Sequence, residues 1–225
     1  MSQESASFTP SHPYFPTLLS IPHFQPSELP TTHVLMILGG VALVILIFGR
    51  QISRTQSGLD SFATCWFLLC FFIHVFLEGY FVVFNKTLAG KKTLLADLWR
   101  EYSLSDSRYL ISDPFTVIME GITAAIDGPL SLVVVIAILN RNFALRHLAQ
   151  LSVSIAQLYG DVLYLLTNYF EAYAYTHPHP YYFWVYFVAM NLPWIILPIF
   201  FIFHSWISIT KKINSIPNPS KIKSN

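Results

Sequence analysis

Charge is scarce in this chain and nearly cancels: 13 lysines and arginines stand against 12 aspartates and glutamates in 225 residues. A formal net charge of +1 offers no basic field to a phosphate backbone, which excludes nucleic acid as a partner. Cysteine is nearly absent as well. Cys65 and Cys70 fall five apart in one apolar stretch and do not face each other on a helix, so they read as apolar packing, not as a disulfide or a metal site. There is no Gly-x-Gly-x-x-Gly, no phosphate loop and no His or Cys cluster at ligand spacing, so neither a cofactor nor a metal is expected. Residues 1–31 lack the basic start and apolar core of a cleavable signal peptide and are expected to be a mature tail. Nor is there an internal repeat, the usual mark of a proton-coupled transporter.

Hydrophobic residues, by contrast, make up 54% of the chain and aromatics 16%, a composition that belongs in a lipid bilayer. Five stretches can cross about 30 Å of hydrocarbon at about 1.5 Å per residue. They are residues 33–49, 62–84, 115–139, 145–167 and 181–207. The expected architecture is an all-α integral membrane protein, a five-transmembrane-helix bundle with an intramembrane cavity. Four spans are the fallback, because Arg146, His147, Gln150, Gln157 and Asp161 dilute the fourth stretch. The membrane domain would run over 32–208, between a tail of 1–31 and one of 209–225. In the loop after the second stretch, Leu94, Leu95, Leu98, Trp99 and Tyr102 recur at helical spacing and predict a short amphipathic helix on the membrane or over the bundle mouth. Ser11 to Pro16 joins two aromatics to prolines and is expected to form an extended strip at the membrane interface.

Basic residues set the orientation. Arg50, Arg54, Arg141, Arg146, Lys211, Lys212, Lys221 and Lys223 collect on one side, which places the N-terminus in the lumen and the C-terminus in the cytosol. Lys221 and Lys223 then resemble a dilysine retrieval signal of the endoplasmic reticulum, although a positive-inside tail explains them equally well. The sequon Asn85-Lys86-Thr87 abuts the second span too closely for use.

Against this background a few polar residues stand out. His74 and Glu78, four apart, share a helix face and can hydrogen-bond to each other. Glu120 interrupts another apolar stretch, and each ionisable group at such depth costs about 2.5–3.5 kcal/mol on insertion scales. Counting the helical rise from the lumenal end puts Glu78, Glu120 and Asp161 about 8–9 Å deep, His74 and Asn191 about 15 Å and Trp194 about 20 Å. The groups can therefore meet in one pocket. Gln157 and Asp161, four apart, are expected to tie helices together or to cap a water pocket. Pro193 and Pro198 are expected to kink the last helix and widen the pocket.

These residues resemble the emopamil-binding protein family, sterol Δ8–Δ7 isomerases with an EXPERA-type membrane domain, here over about residues 60–205. The resemblance runs through His12-Pro13-Tyr14, Cys65-Trp66, His74 with Glu78-Gly79, Leu98-Trp99 with Glu101-Tyr102, and Asp106-Ser107-Arg108-Tyr109. It continues through Glu120-Gly121-Ile122-Thr123-Ala124, Gly128-Pro129 with Ser131-Leu132, Gln157-Leu158-Tyr159-Gly160, and Asn191 with Trp194. Asp127, where the family pattern suggests an apolar residue, is a departure that adds a second acid below Glu120.

The resemblance implies movement of a ring double bond in a sterol, with no redox cofactor, in the membrane of the endoplasmic reticulum. Such a shift needs a proton donor, a base and an electron-rich face for a carbocation. The residues that match are His74, Glu78, Glu120 and Trp194 as catalytic groups, with Asn191, Thr123 and Tyr109 against the substrate. Which carboxyl donates is left open. Amphiphilic cationic amines, carrying the charge the carbocation would carry, are the expected inhibitors. Asp106, Arg108 and Tyr109 are expected to lock a loop over the site. A non-catalytic sterol- or amine-binding protein of the sigma-two receptor type is the alternative, and a homodimer is compatible with the sequence.

Overall fold

The structure, a computed structural model, describes residues 12–217. Ser11, Lys221 and Lys223 lie outside that range, so the dilysine expectation and part of the interfacial strip do too. The described residues are helical, with one antiparallel bridge between Asp106 and Thr176. Among the described residues four helices are long and apolar enough to cross a membrane: α1 (Thr31–Ile52), α2 (Gly58–Phe84), α4 (Pro114–Leu139) and α6 (Tyr182–Asn214). Between them lie the short α3 (Leu94–Tyr102) and the long α5 (Phe143–Phe170).

The caps explain where the helices begin. Ser57, Thr93, Asp113 and Asn142 each accept a hydrogen bond from a first-turn backbone N–H, at 3.1, 3.3, 2.9 and 3.1 Å. Pro114 follows Asp113 at the first helical position, where its missing N–H costs nothing. α1, α2, α4, α5 and α6 run alternately up and down, with short turns after α1 and α4 and longer connections after α2 and α5. At one end Arg146 pairs with Asp60 at 2.6 Å and Lys212 stands over the Phe143 ring at 6.0 Å.

α5 shows why its hydropathy is low. His147, Gln150, Ser154, Gln157, Tyr164 and Asn168 recur three, four or seven apart and are buried, so its polar residues form one inward stripe. Its outward face is apolar, with Leu145, Leu148, Ile155, Val162 and Leu166 exposed. In Gly39 and Gly40 the loosely packed α1 has nothing nearby, whereas Gly49 lets the Cys65 backbone approach to 3.1 Å of where a Cβ would stand. Cys65 and Cys70 are free thiols.

Residues 12–30 pack back onto the bundle, which corrects the interfacial strip. Tyr14 is 3% exposed and sits edge-on to Phe24 at 5.7 Å, in a cluster with Phe81, Leu88 and Trp99. Arg100, buried on α3, holds the adjoining backbone through the carbonyls of Leu88 (3.3 Å), Ala89 (3.4 Å) and Lys91 (2.6 Å). α3 itself covers one end of the bundle. Glu101 accepts from Thr31 of α1 (2.8 Å) and Tyr186 of α6 (2.7 Å).

Two apolar clusters fill the bundle. One contains Phe67, Cys70, Val134, Val153 and Phe201; the other contains Phe81, Tyr109, Tyr164 and Phe187. On every helix that joins both, a short polar segment lies between them: 73–78 on α2, 120–127 on α4, 157–161 on α5, and Asn191 on α6.

Candidate active site

Glu78 ends a π-helical turn, Ile73–Glu78 in α2, and Glu120 stands three residues before another, Thr123–Asp127 in α4. A π turn takes in an extra residue, shifts the register of the helix and frees carbonyls, and such turns gather at functional sites. The freed Leu77 carbonyl accepts from the Trp99 indole N–H at 2.9 Å, docking α3 onto α2. The two π turns lie against each other, and Gly128 permits this. A Cβ there would stand 2.6 Å from Val75 Cγ2 and 3.4 Å from the Val75 backbone nitrogen.

The approach produces one hydrogen-bonded chain across three helices and a loop. Gln157 Nε2 donates to His74 Nε2 at 3.0 Å. His74 Nδ1 meets both Glu78 oxygens at 2.8 Å, and Thr123 Oγ1 donates to Glu78 Oε2. Thr123 Oγ1 is also 3.5 Å from Glu120 Oε2, and Tyr109 Oη donates to Glu120 Oε1 at 2.7 Å. One hydroxyl thus stands between the two carboxyls. His74 and Glu120 are 2% and 6% exposed. Gln157 Oε1 is buried without a partner, and turning the amide over would offer that oxygen to a doubly protonated His74.

A loop turn, Ser107–Leu110, positions Tyr109. Arg108 beside it is buried and pairs with Asp106 at 2.8 Å, while Asn168 Nδ2 donates to Asp106 Oδ2 at 3.2 Å. Burial, reinforced by the neighbouring Glu120 carboxyl, holds the Tyr109 phenol well above its ordinary pKa, so it remains a donor at neutral pH.

The chain forms one side of a pocket of about 310 Å³, within the range of small-molecule sites. Leu77, Trp99, Tyr102, Met119, Met190 and Trp194 supply most of its apolar wall. The Trp194 ring stands 6.5 Å from that of His74, edge-on, and 5.4 Å from Trp66. α6 is interrupted at Met190–Asn191, where Asn191 Nδ2 donates to the Phe187 carbonyl at 2.6 Å and approaches Tyr102 Oη at 3.4 Å. The break falls just ahead of Pro193, whereas Pro198 stays within the helix. All seven residues singled out from sequence, His74, Glu78, Glu120, Trp194, Asn191, Thr123 and Tyr109, line this pocket.

Some placements differ from expectation. Asp127 is buried but does not line the pocket, and its Oδ1 has no partner. Gln157 does tie α5 to α2, but by touching His74. Its four-residue offset from Asp161 was the available signal, yet a sequence does not say which side chain on another helix it faces.

The family model for EBP, described as EXPERA (EXPanded EBP superfamily), matches residues 94–205, a segment that includes Glu120 and Trp194. Over 84% of its length the chain is 44% identical to the 3-beta-hydroxysteroid-Delta(8),Delta(7)-isomerase of Mus musculus, again 84% of that protein. This chain belongs to the EXPERA family. The family's Rattus norvegicus protein of the same name is 41% identical over 98% of both chains. That of Cavia porcellus is 38% identical over 86% of this chain and 87% of its own. These EXPERA alignments reach well beyond the segment the family model matches, far enough along the chain to take in the α2 half of the site.

Proposed function

We propose that the protein is a 3β-hydroxysteroid Δ8–Δ7 isomerase, and that five helices, α5 included, cross the membrane of the endoplasmic reticulum around an intramembrane cavity. The observation that carries this reading is the run of proton-bearing groups from His74 to Tyr109 along one wall of an otherwise aromatic pocket. The names of the curated relatives supply the bond that moves.

The chemistry requires no change of oxidation state. The alkene pair takes a proton at C9 and leaves a cation at C8; the C7–H pair then closes C7=C8, and that proton goes to a base. Glu78 is the better-solvated carboxyl, accepting from both His74 and Thr123, while Glu120 accepts one short bond from Tyr109. Glu120 is therefore the proposed donor and the His74–Glu78 pair the acceptor. Trp194 offers its π electrons to the cation in a site with little water. Tyr109, Thr123 and Asn191 hold the acids and the ring system in place.

Incubating the purified protein with a Δ8-sterol in deuterium oxide tests the reading. A Δ7 product carrying one deuterium is expected, and recovery of unlabelled Δ8-sterol alone would overturn it.

A protonated tertiary amine mimics the cation, so amphiphilic amines should compete with sterol. Trp194→Leu should weaken such an amine by about 2 kcal/mol, roughly 30-fold in Kd. An unchanged Kd in displacement measurements would remove the cation–π argument.

The proposed orientation makes a further expectation. A cysteine at His177, between α5 and α6, should be labelled by an impermeant maleimide from the lumenal side only, and one at Ser215 from the cytosolic side only. The reverse pattern would invert the topology.

A further inference from the structure

Asp161 is an acid in the pocket wall that the proposed chemistry does not use. α5 presents Gln157, Asp161 and Tyr164 to the pocket, each about one turn from the next. Gln157 is engaged by His74. Asp161 Oδ2, in contrast, is buried without a hydrogen-bond partner. An unmatched carboxyl oxygen among apolar side chains is costly, and it persists where a ligand completes it.

We infer that Asp161 recognises the 3β-hydroxyl of the substrate. This inference rests on the isomerase reading above. An alcohol fits the site, because it can donate to the unmatched carboxyl oxygen. A carboxylate would be repelled.

Spacing supports the assignment. Asp161 follows Gln157, the residue touching His74, by four positions, about 6 Å along the helix axis. In a sterol, five bonds of about 1.5 Å separate the hydroxyl oxygen from C9, which the fused-ring zigzag brings to roughly 6 Å. With the hydroxyl at Asp161, the ring double bond therefore falls level with the His74 contact, while the hydrocarbon tail leaves the far side.

The test compares a 3β-hydroxy Δ8-sterol with its 3-deoxy counterpart, in wild type, Asp161→Leu and Asp161→Asn, measuring kcat/KM and the Kd for displacement of a bound sterol. Wild type should prefer the hydroxylated sterol by about 10- to 100-fold. Asp161→Leu should abolish that preference and handle the 3-deoxy sterol within about threefold of wild type, and Asp161→Asn, which can still hydrogen-bond, should retain part of it. A preference that survives in Asp161→Leu, or an equal loss for both sterols, would overturn the inference. If Asp161→Leu does not fold, Asp161→Asn carries the comparison, a reduced preference supporting the site and an unchanged one overturning it. Failure of wild type to convert either sterol would sink the isomerase reading instead, and the Kd ratio would still decide the hydroxyl site.

Discussion

Glu120→Gln should fold, bind sterol with near-normal Kd and lose turnover by about 10²–10⁴, the usual contribution of one general acid or base. The amide is nearly the same size as the carboxyl. Its oxygen can still accept from Tyr109 Oη, now 2.7 Å from Glu120 Oε1, and its nitrogen can donate toward Thr123 Oγ1, which gives its own proton to Glu78. No buried polar group is orphaned, so stability should change little, while the transferable proton is gone. Glu78→Gln should lose turnover similarly but with some loss of stability, because it leaves His74 with a neutral partner in place of a charged one. Single-turnover kinetics on detergent-purified variants, with thermal unfolding as the folding control, separate the two effects. If both variants are folded and turn over nearly normally, the acids are structural and a sterol- or amine-binding protein is the better account.

Arg108→Met should destabilise the protein by about 3–5 kcal/mol, the usual cost of leaving a buried charge unpaired. The Asp106 carboxylate is fully buried and faces Arg108 through Nε at 3.0 Å and Nη2 at 2.8 Å. The guanidinium also donates to Thr167 Oγ1 at 3.2 Å and lies over the Tyr164 ring at 5.1 Å, so it fastens the loop to α5. Without it, Asp106 would keep Asn168 and the Arg108-position backbone N–H, neither of which carries charge. The double variant Asp106→Asn with Arg108→Met should recover part of the loss, since it removes both charges together. Because Tyr109 is the next residue and holds Glu120, Arg108→Met should also loosen the site, visible as faster hydrogen exchange over residues 105–111. A single variant within about 0.5 kcal/mol of wild type would show that the pair is solvated and holds nothing.

The long apolar runs dictate most of the helices directly: the expected stretches 62–84 and 115–139 are α2 and α4 to within a few residues, and the spacing of Leu94, Leu98 and Tyr102 marks α3. The His74–Glu78 pair was equally legible, because two residues four apart on one helix need no tertiary information to meet. Even the common level of Glu78 and Glu120 follows from counting the rise along each helix. Periodicity, however, describes one helix at a time, reporting which face is polar and how deep a residue lies. What pairs with what depends on the rotation and separation of two helices, and packing sets these. Only the tertiary structure therefore brought Gln157 to His74, placed Thr123 between the two carboxyls, turned Asp127 out of the pocket and buried Tyr14 in place of leaving it at an interface. The π turns belong to the same class. Each shifts its helix by one residue, and at Gly128 that shift is decided by how closely a neighbouring backbone can approach, a quantity no pattern along a single chain contains.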